Sequence, residues 1–80
     1  MKKFTVNDRI IIIAESKDTR SGFKHVAHLF LGDNEVEETK VCYLNRTWES
    51  YQYQTVIHKL IEKSKFLTPE EKTECLTILK

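Results

Sequence analysis

Between Arg9 and Lys17 the chain places Ile10, Ile11, Ile12 and Ile13 in succession, with polar residues on either side. Four β-branched side chains in a row lose rotamer freedom against a helical turn but fit a pleated surface, so this segment is predicted to be a strand. Asp18-Thr19-Arg20-Ser21-Gly22 has the polar and glycine chemistry of a turn, and Phe23 to Leu31 is a second apolar-rich run closed by Gly32-Asp33-Asn34. From Glu35 to Leu44, Thr39, Val41 and Tyr43 fall on one parity and Lys40, Cys42 and Leu44 on the other, the pattern of a third strand with a solvated first half. Strands joined by such short turns pair antiparallel.

Past Glu49 the period changes. Tyr53, Val56, Ile57, Leu60 and Ile61 recur at i, i+3, i+4, i+7 and i+8, which predicts an amphipathic helix. Thr47 is the expected N-cap, Glu49 falls in the first turn and Lys59, Lys63 and Lys65 lie toward the end, as the helix dipole favours. In Thr68-Pro69-Glu70-Glu71 a capping threonine, a proline at the first helical position and a glutamate at the third announce a second helix. Cys75, Leu76 and Leu79 give it a narrow apolar stripe. The order is therefore β-β-β-α-α: one α+β domain over residues 1–80, with helices on a three-stranded antiparallel sheet.

Alternation along a strand sends Ile10 and Ile12 to one face of that sheet and Ile11 and Ile13 to the other. The second strand behaves likewise, since Phe23, Ala27, Leu29 and Leu31 oppose Val26 and Phe30. Helices on a single face cover only half of this apolar surface. Each large side chain left in water forfeits about 1.5–3 kcal/mol, which matters in a small domain. The second helix must cross to the other face, the sheet must self-associate as in a homodimer, or that face must receive another protein.

Composition narrows the function. Eighty residues, 40% of them hydrophobic, support one small core and argue against an enzyme with a deep enclosed cleft. The 13 Lys and Arg against 12 Asp and Glu give a net charge of +1. Residues 1–31 carry +3, residues 32–49 carry −3 and residues 50–80 carry +1. The acidic middle disfavours a non-specific nucleic-acid binder, which needs a concentrated basic face. Cys42 and Cys75 form neither a disulfide framework nor a zinc motif and are read as reduced core residues. Charged residues precede any apolar run at the N-terminus, and Ile10 to Ala14 is too short to be a leader or membrane span. A cytoplasmic protein without membrane contact is expected, in which the sequon Asn45-Arg46-Thr47 goes unused.

His25 and His28, three residues apart on a strand, point to opposite faces and cannot share a metal ion. They and His58 are expected to be surface or partly buried histidines. No cysteine is placed beside a histidine by any motif, and Gly22 and Gly32 each stand alone in a turn, so no phosphate loop exists. No metal, no cofactor and no catalytic residue is expected, and the chain is read as not an enzyme.

The stretch from Tyr43 to Tyr53 holds all three tyrosines, the only tryptophan and Arg46 at a strand-to-helix junction. These residue types dominate protein interfaces and also stack on bases. Trp48 can equally anchor the helix onto the sheet, with Arg46 and Glu49 as a local ion pair. The partner-binding set read from the sequence is Arg46, Trp48, Glu49 and Tyr51, together with Ile11 and Ile13 on the uncovered face.

Asn45 to Val56, N-R-T-W-E-S-Y-Q-Y-Q-T-V, resembles a motif (N-R-T-W-E-x-[YF]) of small, mostly uncharacterised proteins of bacteriophages, prophages and plasmids. The resemblance implies a genetic context: small proteins of this kind act in a bacterial host by binding a host or defence protein, as anti-CRISPR and anti-restriction inhibitors do, or in early gene control. The expectation is a phage or mobile-element accessory protein acting by protein contact, with counter-defence inhibition as its sharpest form. A three-stranded sheet followed by a helix also resembles integrase arm-type and AP2-type DNA-binding domains. In that alternative Lys17, Arg20, Lys24 and Arg46 contact nucleic acid.

Overall fold

In the computed structural model, which describes residues 2–20, 22–43 and 53–78, the order of elements is β-β-β-β-α-α. The strands are β1 (Lys2–Thr5), β2 (Ile10–Thr19), β3 (Gly22–Leu31) and β4 (Asn34–Tyr43), followed by α1 (Gln54–Lys63) and α2 (Pro69–Ile78). The α+β class and the antiparallel sheet followed by two helices are as the pattern predicts, but the sheet has four strands in the order β1-β2-β3-β4, not three. The additional strand, β1, is four residues long and carries two lysines, too short and too polar to show alternation. Its identity comes from its neighbour: Phe4 pairs with Ile12, and the turn between them is closed by Val6 N–H donating to Ile10 C=O at 3.0 Å. Asn7 Oδ1 tightens that turn by accepting from the N–H groups of Arg9 (2.8 Å) and Ile10 (2.9 Å).

One irregularity shapes the sheet. Leu29 pairs with Glu37 but Phe30 pairs with Glu35, so Val36 is an extra residue, a β-bulge. It turns Val36 against the core and reverses the parity of β4, bringing Glu35 and Glu38 to the same face although their spacing is odd. At the β3–β4 turn Gly32 adopts a φ of 65°, the left-handed region that glycine enters without cost, and its N–H reaches Arg9 C=O at 2.8 Å.

The core lies between the sheet and α1. Ile10, Ile12, Ala14, Ala27 and Leu29 are wholly buried and meet Val56, Ile57, Leu60 and Ile61 of α1. The proposed cap Thr47 and its neighbour Glu49 lie outside the described residues; the helix is described from Gln54, and Tyr53 before it makes no side-chain cap. At the other end, buried Ser64 donates to the carboxylate of Glu37 on β4 and accepts from Phe66 N–H at 3.2 Å, fixing where α1 stops.

The second helix starts as its sequence says. Glu71 N–H donates to Thr68 Oγ1 at 3.2 Å while Thr68 N–H donates to Glu71 Oε1 at 3.1 Å, a reciprocal capping box. Glu71 also pairs with Arg9, and Lys72 Nζ donates to Glu62 C=O at 3.1 Å. With Cys75 buried against the core, α2 leans on α1 and stays on the same side of the sheet. It does not cross to the opposite face. Among the described residues, no helix is long and apolar enough to cross a membrane.

Candidate functional site: the open sheet face

Strand pairing fixes what the face opposite the helices displays. Ladder neighbours point the same way, so Thr5, Ile11, Phe30 and Glu35 form one row across the sheet, and Lys3, Ile13, His28 and Glu38 the next. The third row holds Glu15, Val26 and Lys40, and the fourth Lys17, Lys24 and Cys42. The two central strands thus carry an apolar patch of Ile11, Ile13, Phe30 and Val26, with charges on both edges. Val26 is buried by its neighbours, whereas Ile11, Ile13 and Phe30 are half-buried without any described helix above them. Ile11 and Ile13 therefore lie where alternation puts them.

At the centre of the face stands His28, held from three sides. Its Nε2 lies 3.2 Å from Glu15 Oε2, and its solvent-shielded Nδ1 lies against the carboxylate of Glu35 and 3.6 Å from Glu38 Oε2. Nδ1 is within ion-pair reach of Glu35 but not lined up for a hydrogen bond. Glu38 is shared with Lys40, 3.3 Å away. The ligand atoms of His28, Glu35 and Glu38 lie within 4.8 Å of one another, a spacing a divalent cation could bridge. The sequence reading missed this cluster because Glu15, Glu35 and Glu38 reach His28 only through the ladder and the bulge; acidic residues at those positions look like ordinary solvated surface.

The sequence-derived set is divided. Arg46, Trp48, Glu49 and Tyr51 lie outside the described residues, so Ile11 and Ile13 are the two members that can be placed. Of the nucleic-acid set, Lys17 and Lys24 are direct ladder partners on the open face, Arg20 is exposed in the β2–β3 turn, and Arg46 is outside the described residues.

His25 and His28 do point to opposite faces, but His25 is not a surface or partly buried residue. It is wholly buried on the helix side, its Nδ1 hydrogen-bonded with Ser16 Oγ at 2.8 Å. Around it stand Phe23 and Tyr43, edge-on at 5.0 and 5.7 Å, and Tyr53 at 4.9 Å. Lys2 Nζ covers the Tyr53 ring at 5.5 Å. This cluster pins the start of α1 to the sheet.

The two cysteines also differ. Cys42 is exposed on the open face rather than in the core, because the parity of β4 turns it away from α1. Cys75 is buried, and that burial, followed by the nearby charges of Glu74 and Glu71, raises its thiol pKa above the ordinary value. Iodoacetamide at mildly alkaline pH is expected to label Cys42 in the native protein and to reach Cys75 only after unfolding. Peptide mapping by mass spectrometry checks this, and equal native labelling of both would contradict the packing of α2.

No family model matches the chain, nor does any curated protein or solved structure.

Proposed function

We propose that the chain is a non-enzymatic contact protein, an accessory of a phage or other mobile element that works by binding protein surfaces in a bacterial cell. The sharpest form of this reading is inhibition of a defence system of the anti-CRISPR or anti-restriction kind. The observation that carries the contact role is the open sheet face, where Ile11, Ile13 and Phe30 lie side by side, uncovered by any described element. Apolar side chains beside charged ones, here grouped around His28, are a mixture that protein interfaces share. The resemblance of Asn45 to Val56 supplies the genetic context, and Arg46, Trp48, Glu49 and Tyr51 supply the residue types of a second contact surface.

The test is capture of partners by the tagged protein from bacterial lysate, with and without nuclease. A stoichiometric, nuclease-resistant protein whose recovery falls at least tenfold with Trp48→Ala or Tyr51→Ala supports the reading. Recovery that vanishes with nuclease transfers it to the nucleic-acid alternative. That alternative draws on the adjacency of Lys17 and Lys24, with Arg20 beyond them, as a phosphate-contacting end of the sheet. Glu15, Glu35 and Glu38 on the same face oppose it by repelling a polyanion.

A further inference from the structure

We infer that the partner of the open sheet face is a second copy of this chain, packed face to face about a two-fold axis that runs parallel to the strands between β2 and β3. The inference rests on the reading of that face as a protein-contact surface and names its occupant.

The argument is one of charge and apolar registration. A two-fold axis in this direction lays β1 of one copy over β4 of the other, and β2 over β3. In the first row Ile11 then meets the partner's Phe30. In the second, Ile13 meets the partner's His28 and Lys3 meets the partner's Glu38, with the partner's Glu35 one row away. Each contact occurs twice by symmetry, as an isologous interface requires. Lys3 on the β1 edge of each sheet thus covers the Glu35 and Glu38 end of the β4 edge of the other.

The competing in-plane axis, perpendicular to the strands, lays each strand over its own copy. Centred on the same three rows, it sets Lys3 on Lys3 and Glu38 on Glu38 and stacks Ile11 on Glu15, opposing like charges and burying charge against hydrocarbon. With the strand-parallel axis two matches are unfavourable: Glu15 meets the partner's Val26 at the rim of the overlap, and beyond it comes the like-charged pair Lys17 and Lys24. That pair lies two rows beyond Lys3, about 13 Å at roughly 3.3 Å per residue. Aligned sheets cross at about 30°, so that end splays into solvent.

Edge-to-edge association is the other route open to a sheet, and this one blunts both edges. The outer strand β1 is four residues long with two lysines, and β4 carries the bulge at Val36 and the exposed Lys40. The face is left as the surface for association. Overlap of three rows on four strands is about 400 Å² per copy, the small end of specific interfaces, so the dimer should dissociate on dilution.

Sedimentation equilibrium of the purified full chain, from low micromolar to near-millimolar concentration, tests this. The expected result is a rise from the 9.5 kDa monomer toward twice that mass. Lys3→Glu alone and the Glu35→Lys/Glu38→Lys pair should each weaken self-association at least tenfold by setting like charges opposite one another. Mixing these two variants should restore it as a heterodimer, because every exchanged charge again faces its opposite. Circular dichroism of each variant shows whether it is folded, and Lys3, exposed on the edge strand, is a benign position for the first.

A wild-type chain that stays monomeric throughout overturns the inference, as does a dimer indifferent to Lys3→Glu. A monomer whose capture of a foreign protein is lost with Ile13→Asp would overturn it as well, while leaving the contact function standing. An intact dimer that captures nothing from lysate would have the reverse effect: it supports the dimer and removes the proposed host partner.

Discussion

Replacing Ile12 with alanine is expected to cost about 2–5 kcal/mol, whereas the same change at Ile11, one residue away, should cost about 1 kcal/mol. Ile12 is wholly buried, pairs with Phe4 on one side and Leu29 on the other, and lies in the cluster that receives α1. Removing three carbons there leaves a void that the sheet cannot close without moving its neighbours. Ile11 points to the open face and already touches water. A domain of this size has a total stability of about 4–12 kcal/mol, so Ile12→Ala should move a large share of the chain toward the unfolded state at room temperature. Urea denaturation followed by circular dichroism checks both, at a concentration low enough that association does not contribute. Equal losses at the two positions would mean that the open face is covered as thoroughly as the core.

That contrast rests on parity alone, which is why it was legible in the sequence. The four isoleucines announce a strand, their alternation assigns two to each face, and the change to a 3.6-residue period past Glu49 announces the helix that covers one of them. Thr68-Pro69-Glu70-Glu71 was equally legible, because the capping box is a local arrangement whose partners are three residues apart. What escaped has a common cause. The strand β1 is too short to display a period, and becomes a strand because β2 offers it a ladder. The Glu15, Glu35 and Glu38 cluster around His28 needs the register of three strands and a bulge that reverses parity at Val36, none of which a linear pattern encodes. Cys42, expected in the core from its residue type, is exposed because position on the ladder overrides the average preference of a thiol for burial.

The buried histidine gives the second large expectation. His25→Ala should cost about 3 kcal/mol, and His25→Phe less, because phenylalanine keeps the ring contacts while losing the hydrogen bond. Two of its interactions are in view: the imidazole fills the space between Phe23, Tyr43 and Tyr53, and it is hydrogen-bonded with the hydroxyl of Ser16. Removing the ring takes away packing at the point where α1 enters the core and strands a partly buried hydroxyl, each worth about 1–3 kcal/mol. A double-mutant cycle with Ser16→Ala separates them. With the histidine present, Ser16→Ala should cost about 1 kcal/mol; with alanine at 25, its effect should fall close to zero, since the partner is gone. A Ser16→Ala penalty of the same size in both backgrounds would show that the hydroxyl contributes through another contact. The bond to Ser16 would then carry none of the stabilisation assigned to His25. Urea titrations of these variants therefore decide whether the bond to Ser16 contributes to holding the buried histidine.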